Sequence, residues 1–409
     1  MLFPTLFNTR TYRHPLRGVF LLLLSVSGVM AQSGRLPTPK VSETLIFPEQ
    51  PDHTHGSSLV QLPNGDMLAA WFQGSGERTA DDVRIMGARL KKGTRQWSSP
   101  FLMADTPHLP DCNPVLFLNH EKKLFLVWIA VQANQWEQSI LRVRTATNYG
   151  GDAAPAWDWQ NNILLKPDDA FAREVKARLD ALPEHGIGWA GYAPKYDNMI
   201  KEASADPAKR SIGWMTRIKP MLLENRRIIL PLYSDGFNLS LMAISDDDGA
   251  TWQPSLPLVG RGPIQPALAR KKNGTLVAYL RDSGDWPPQV QTSESTDNGQ
   301  SWSAATKTDI PNTASVELLA MQDGNWAFVG NDIHDGRYRL ALWMSDDEGK
   351  SWRWKTYLED KAKDQGGYSY PCLIQSDDGL LHITYSWHAE KNRKSIKYVV
   401  VNPKAITAR

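Results

Sequence analysis

The chain runs to 409 residues with only two cysteines, Cys112 and Cys372. So few thiols exclude a cysteine-stapled framework or a multi-cysteine metal cluster. The pair itself keeps two readings: one disulfide in an oxidising compartment, or two buried thiols. Excess charge of either sign is also missing, since 46 Lys and Arg face 44 Asp and Glu, for a formal net charge of +2. That balance gives no electrostatic ground for nucleic acid or an anionic membrane surface as partner. Nor is there an apolar run of spanning length. The best candidate, VFLLLLSVSGVM over residues 19–30, falls short of the roughly 20 residues a membrane helix needs. It follows Arg10, Arg13 and Arg17 and is closed by Ala31, the order of a secretory leader. Residues 1–31 are therefore expected to be a signal peptide cleaved after Ala31, with a retained anchor as the alternative. Cleavage would place the mature protein, free of membrane, in a periplasm or outside the cell.

What the chain does have is repetition, and repeats are read before anything else. Three segments share the pattern Ser-x-Asp-x-Gly-x-x-Trp: SDDDGATW from Ser245, STDNGQSW from Ser295 and SDDEGKSW from Ser345. Asp247, Asp297 and Asp347 are suited to accept backbone N–H bonds inside a tight turn. Gly249, Gly299 and Gly349 tolerate positive φ. Trp252, Trp302 and Trp352, three of sixteen tryptophans, can cover the turn. A second repeat reads strand, polar turn, strand: SSLVQLPNGDMLAAWF from Ser57, NPVLFLNHEKKLFLVWI from Asn113, KPMLLENRRIILPLY from Lys219, QPALARKKNGTLVAYLR from Gln265, SVELLAMQDGNWAFVGN from Ser315 and YPCLIQSDDGLLHITYSW from Tyr370. Six such hairpins at about fifty-residue spacing predict an all-β fold, a six-bladed β-propeller over residues 42–402. Residues 93–97 and 145–151 read as decayed turn motifs of the first two blades. SIKYVVV, from Ser395, reads as a strand that helps seal the ring.

One stretch breaks the rhythm. Residues 166–213 form an insertion between the second and third blades. In DDAFAREVKARLDAL, from Asp168, Phe171, Val175, Leu179 and Leu182 fall at helical spacing before Pro183. The following HGIGWAGYAPKYDNMI is rich in Trp, Tyr and Gly, so the insertion is expected to be partly helical. It is either a surface decoration or a lid over one face.

The turn motif is the Asp-box, or BNR repeat. With the strand pattern it makes the chain resemble the sialidase superfamily, and within it the bacterial BNR-repeat proteins of neuraminidase type. The resemblance implies a sialidase-like propeller whose site holds a carboxylate with arginines, uses a Tyr–Glu nucleophile pair, and employs an Asp as acid/base. Tyr370, nine residues before Gly379, matches the nucleophile. Arg281 ends the strand of GTLVAYLR and matches one arginine. Arg337 in GRYRLALWMS matches another, with Arg339 as a rival. Asp81 or Asp82 in GERTADDVRI occupies the place of the acid/base. Two positions differ in type: His55 stands where the first arginine belongs, and Gln265 where the glutamate belongs.

Read as chemistry alone, a propeller brings the starts of its inner strands together, so His55, Asn113, Lys219, Gln265, Ser315 and Tyr370 should converge. With Arg281, Arg337 and Asp82 added, the well is cationic, and an arginine fork matches a carboxylate. A neutral Gln265 cannot take the proton of Tyr370, which leaves His55 or Glu317 as candidates for that task. His53 and His55 have no third metal ligand near them in sequence, so neither a metal nor another cofactor is expected. The leading expectation is an exo-acting glycoside hydrolase, sialidase-like, that releases a terminal acidic or modified sugar. In it Asp82 is the acid/base and Tyr370 the nucleophile, while Arg281, Arg337, Lys219, Asn113 and Asp81 hold the glycan. The alternatives are a polysaccharide lyase on uronic-acid glycans, working through His55, Tyr370 and Arg281, and a non-catalytic carbohydrate-binding propeller.

Overall fold

The computed structural model describes residues 39–77, 79–183 and 196–407; the leader expected over residues 1–31 lies outside them. The alternating β-branched and aromatic runs pair as neighbouring antiparallel strands because each is joined to the next by a short polar turn. The first strand, β1 (Lys40–Leu45), belongs to the last sheet. Blade I comprises β2 (His53–Gln61), β3 (Met67–Gly74), β4 (Arg84–Leu90) and β5 (Phe101–Ala104), and blade II comprises β6 (Asp111–Leu118), β7 (Leu124–Val131), β8 (Ser139–Ala146) and β9 (Trp159–Asn162). Blade III is built from β10 (Met215–Thr216), β11 (Met221–Leu222), β12 (Ile228–Ser234), β13 (Leu239–Ser245) and a short β14 (Gln253–Pro254). Blade IV holds β15 (Pro263–Arg270), β16 (Leu276–Asp282), β17 (Gln289–Ser295) and β18 (Thr306–Pro311). Blade V holds β19 (Glu317–Ala320), β20 (Trp326–Gly330), β21 (Arg339–Ser345) and β22 (Trp354–Asp360). Blade VI holds β23 (Gly367–Gln375), β24 (Leu381–Glu390) and β25 (Arg393–Val401).

The six hairpins read from the sequence are the two inner strands of the six blades. The segment from Ser395 is the third strand of blade VI, and β1 pairs along its outer side, with Ser42 opposite Val400 and Thr44 opposite Tyr398. The ring is thus sealed by a strand from the other end of the chain, a common way for a propeller to protect an edge.

The Asp-boxes link the third and fourth strands of blades III, IV and V. In each, the serine hydroxyl donates to the aspartate and accepts the glycine N–H. In blade III, Ser245 Oγ lies 2.8 Å from Asp247 Oδ1, and Gly249 N lies 2.8 Å from Ser245 Oγ. The aspartate then accepts Thr251 N at 2.8 Å and Thr251 Oγ1 at 2.6 Å. In blade V the Ser351 hydroxyl and N–H stabilise the Asp347 carboxylate, so its pKa falls to about 2. Blade II keeps a variant: Asp158, from beyond the turn, accepts Thr147 N and Thr147 Oγ1, both at 2.8 Å. Between blades the contact is mainly apolar, with Trp71, Trp128 and Trp326 fully buried.

The insertion is partly helical, as expected. Helix α1 (Asp169–Asp180) is capped by Asp168, which accepts Ala170 N at 2.8 Å, and buries Phe171, Val175 and Leu179. It packs against α2 (Tyr196–Ala205). Arg210 fastens the base of the pair by donating to the carbonyls of Pro167 and Ser204 and to Asp169. Phe171 meets Trp214 and Phe237 edge-on, with centroids 5.9 and 5.7 Å away. The helices therefore cover blade III, where β14 has only two residues. The Trp/Gly-rich stretch that suggested a lid falls largely on residues 184–195, outside the described residues. A final short helix, α3 (Lys404–Thr407), follows β25.

Two turn glycines separate strain from crowding. A Cβ on Gly249 (φ +97°) would lie 2.6 Å from the Phe125 ring of blade II, whereas one on Gly93 (φ +79°) would meet nothing within 4 Å. Gly93→Ala should cost about 1 kcal/mol of backbone strain. Gly249→Ala should cost roughly 1–3 kcal/mol more, because the inter-blade contact must open. Urea unfolding of both variants measures the difference, and equal midpoints would contradict the packing of box III against blade II.

Candidate functional site

Four inner strands share one irregularity. β2, β6, β15 and β23 each shift register, between His55 and Ser58, Cys112 and Val115, Ile264 and Ala267, and Ser369 and Cys372. One residue at each shift has positive φ: Gly56 (63°), Asn113 (53°), Gln265 (56°) and Tyr370 (58°). For a side chain larger than glycine this conformation costs on the order of 1 kcal/mol or more. What the bulge gains is a re-aimed side chain. Asn113, Gln265 and Tyr370 leave the sheet pattern and form a polar line. Asn113 Nδ2 donates to Tyr233 Oη at 3.2 Å, and Gln265 Nε2 donates to Tyr370 Oη at 3.4 Å. Blade I has glycine at this place because a Cβ on Gly56 would lie 2.6 Å from the Phe72 ring. Its neighbour His55 supplies the side chain instead.

Tyr370 is the centre of the cluster. Arg281 Nη1 donates to its oxygen at 3.0 Å. The guanidiniums of Arg217 and Arg337 stand 4.8 and 5.3 Å from its ring centroid, and the His55 ring stands 4.0 Å away. Burial by itself pushes the phenol up, but the Arg281 and Arg337 charges outweigh it and leave the pKa below that of an ordinary phenol. Tyr233, one step along the polar line, is buried too and, with Asp235 nearby, is pushed well above the usual phenol range. Tyr370, His55, Gln265 and Arg217 are buried, while Arg281, Arg337, Glu77, His53 and His388 are partly exposed. The group has a buried floor and a solvent-facing rim.

Three imidazoles form one wall. The ring centroids of His53, His55 and His388 lie 5.6, 5.8 and 6.1 Å apart, with Phe72 packed on the first two. Burial, reinforced by neighbouring positive charge, holds His55 well below its ordinary value and His53 at about 4. His388 is also lowered by burial, although it hydrogen-bonds the Thr54 carbonyl at 2.7 Å. The wall is therefore neutral at neutral pH. Among the described residues no three His, Cys, Asp or Glu side chains are arranged to hold a metal ion.

The loop after β3 separates the acidic candidates. Asp82 Oδ1 accepts both Ser75 N and Ser75 Oγ at 3.0 Å, so its carboxylate holds the loop closed on itself. Asp81 accepts Asn134 Nδ2 at 2.9 Å and ties the loop to blade II. Glu77, in the same loop, is the carboxylate that acts electrostatically on both Tyr370 and Arg337, and it lies 3.5 Å from His53 Nε2. Its position was within the quoted GERTADDVRI segment, but nothing in the spacing distinguished it from the two aspartates.

The expected convergence is partial. His55, Gln265, Tyr370, Arg281 and Arg337 meet, and Asn113 joins through Tyr233. Lys219 instead pairs with Glu317 at 2.7 Å, which leaves Glu317 committed and unavailable to Tyr370. Arg339 turns toward Tyr357, Asp332 and Asp360, so Arg337 is the arginine at the cluster. Cys112 and Cys372 are both buried thiols that are not joined by a disulfide. Sequence reasoning missed Arg217, which stands two residues before Lys219 and is fully buried with bonds to the carbonyls of Ser57 (3.3 Å) and Pro371 (3.0 Å). A cavity of about 850 Å³ lies elsewhere, lined by blades II and III and the insertion. Its walls are mainly apolar and it contains none of these groups.

A family model described as a BNR repeat-like domain matches residues 65–215 and 201–383. The anhydrosialidase of Macrobdella decora is 26% identical over 190 residues, which is 42% of this chain and 24% of that protein. The chain thus matches only about a quarter of that relative's length. The intramolecular trans-sialidase of Ruminococcus gnavus superposes with a TM-score of 0.66 at 14% identity, covering 91% of this chain and 100% of that one. A protein of unknown function from Dyadobacter fermentans gives 0.65 at 16% identity, covering 89% and 98%. These are likenesses of fold, that of a six-bladed sialidase propeller.

The depressed histidines carry a stability consequence. His53 and the buried His382 both sit at about 4 in the folded chain, chiefly through burial, against about 6.5 when unfolded. Between those values the unfolded chain binds more protons, so stability is full above about pH 6.5 and falls as pH drops toward 4, by up to roughly 1.4 kcal/mol per unit for each group. Urea midpoints measured across that window should fall with pH, and His382→Gln should flatten the slope. A parent chain with constant stability from neutral pH to 4 would contradict the burial of these rings.

Proposed function

The chain belongs to the BNR repeat-like domain family, and on that premise we propose that it is an exo-acting glycoside hydrolase that removes a terminal acidic sugar. The observation that carries this reading is the Tyr370 oxygen, hydrogen-bonded by Arg281 at 3.0 Å with Arg337 over its ring. An oxygen nucleophile beside two guanidiniums with donors to spare suits a substrate whose carboxylate lies close to its anomeric carbon. In the first step the Tyr370 oxygen, as the phenolate that Arg281 and Arg337 favour, bonds to the anomeric carbon, the glycosidic C–O bond breaks, and the leaving oxygen takes a proton from the Glu77 carboxyl. In the second, Glu77 takes a proton from water, the water oxygen bonds to the anomeric carbon, and the tyrosyl C–O bond breaks. The two displacements retain configuration, with a tyrosine where most retaining glycosidases use a carboxylate. Glu77 takes the role first expected of Asp82, and Asp82 shapes the loop.

One observation favours a second reading. His55 is neutral, its Nδ1 has no hydrogen-bond partner, and its ring lies 4.0 Å from Tyr370. It could take the C5 proton of a uronide whose carboxylate the arginines neutralise, with a protonated Tyr370 returning a proton to the departing C4 oxygen. That lyase would leave an unsaturated, ultraviolet-absorbing product.

Aryl α-sialosides, aryl uronides and uronic-acid polysaccharides, assayed side by side, separate the readings. Release of the aryl alcohol, with no unsaturated-uronide band from the polysaccharides, is the expected result. Tyr370→Phe and Glu77→Gln should each lower the rate about 10²–10⁴-fold, while Asp82→Asn should cost less than about tenfold. Absence of turnover on the whole panel by folded protein would sink the enzymatic proposal and leave a sugar-binding propeller.

A further inference from the structure

Arg217 poses a charge problem that the catalytic steps do not use. It lies in the link between β10 and β11, and its side chain is fully buried. Two of its nitrogens donate to main-chain carbonyls, Ser57 and Pro371. Among the described residues no Asp or Glu forms an ion pair with it, and Glu317, which acts on it electrostatically, is already paired with Lys219 at 2.7 Å. A buried guanidinium without a counter-ion is costly. The group it does face is the Tyr370 ring, 4.8 Å from its centre.

Tyr370 poses the complementary problem. Sialidase-like chemistry needs its oxygen as an anion, yet the residue at the expected base position is Gln265, which donates to that oxygen. Arg281 donates to it as well. Donors around an oxygen match an anion. The charged or titratable groups around Tyr370 are His55 from β2, Glu77 from the loop after β3, Arg217, Tyr233 from β12, Arg281 from β16 and Arg337 before β21, with His388 from β24 beyond His55. Of these, both histidines are neutral, Tyr233 is held protonated, and Glu77 alone faces three guanidiniums.

We propose that Arg217 is a positioning residue, the permanent counter-ion of a Tyr370 phenolate, and that it replaces the carboxylate base which Gln265 does not provide. The two buried charges solve each other's desolvation, so the nucleophile rests already deprotonated. No proton acceptor is needed at the start of the reaction. The inference rests on the hydrolase reading for the use made of the phenolate, but the phenolate itself is measurable without any substrate.

The near-ultraviolet phenolate band is titrated in the parent chain, Tyr370→Phe, Arg217→Gln and Arg217→Lys, with circular dichroism to confirm folding. At about pH 8, where ordinary tyrosines with pKa about 10 are almost wholly protonated, the parent should show one phenolate equivalent that Tyr370→Phe lacks. Arg217→Gln should move its midpoint up by at least about one pH unit, a tenfold change in ionisation. Arg217→Lys, which keeps the charge, should retain the band. A parent indistinguishable from Tyr370→Phe at that pH overturns the inference, as does a folded Arg217→Gln that titrates like the parent. Should Arg217→Gln not fold, loss of the band in Arg217→Lys has the same force. An inactive protein with the phenolate sinks only the hydrolase reading, and an active protein without it sinks only this one.

Discussion

Three side chains larger than glycine held at positive φ govern this molecule's chemistry. A regular inner strand would send Asn113, Gln265 and Tyr370 into the inter-blade packing or leave them in register with their neighbours. The bulges break that alternation and direct polar groups from blades II, IV and VI into one line. Each bulge works against the intrinsic preference of its residue, and it is held because the strands on either side remain paired and buried. The scaffold's stability thus goes into aiming three side chains, and the arginines then meet a fixed target.

Around that target, charge is distributed unevenly. Guanidiniums gather at Tyr370, whereas the adjacent wall of His53, His55 and His388 is held neutral by burial and by those same guanidiniums. Positive charge in one part of the well suppresses it in the other. The cluster thus sets a cationic part beside an uncharged aromatic side.

Much of the fold was legible because it is repeated. The boxes from Ser245, Ser295 and Ser345 and the six hairpins each state the same local geometry, and agreement between copies outweighs the ambiguity of any one. The helix after Asp168 was legible for a similar reason, since its cap and its apolar spacing agree. Site residues that begin or end a repeated strand, such as Gln265, Arg281 and Tyr370, inherited that clarity. Glu77 did not, because it lies in a loop of unique sequence where three carboxylates are equivalent until their partners are known. Arg217 was hidden for another reason: an arginine near a lysine and a proline reads as surface charge, yet it is buried against the Ser57 and Pro371 carbonyls. Lys219 shows the converse, a residue at the right repeat position that is taken up in an ion pair with Glu317.

The pairing of β1 with β25 ties the two ends of the ring together, as does the bond from Ser395 Oγ to the Phe47 carbonyl across 348 residues. During synthesis the early strand must wait until every blade has been made before it finds its partner. Loop-closure entropy rises only with the logarithm of length, so the delay is the greater burden, and throughout it the waiting strand has an open edge. Completion of the blade that carries Tyr370 is therefore the last act of assembly. A chain interrupted anywhere upstream can hold folded blades and still lack a finished Tyr370 pocket.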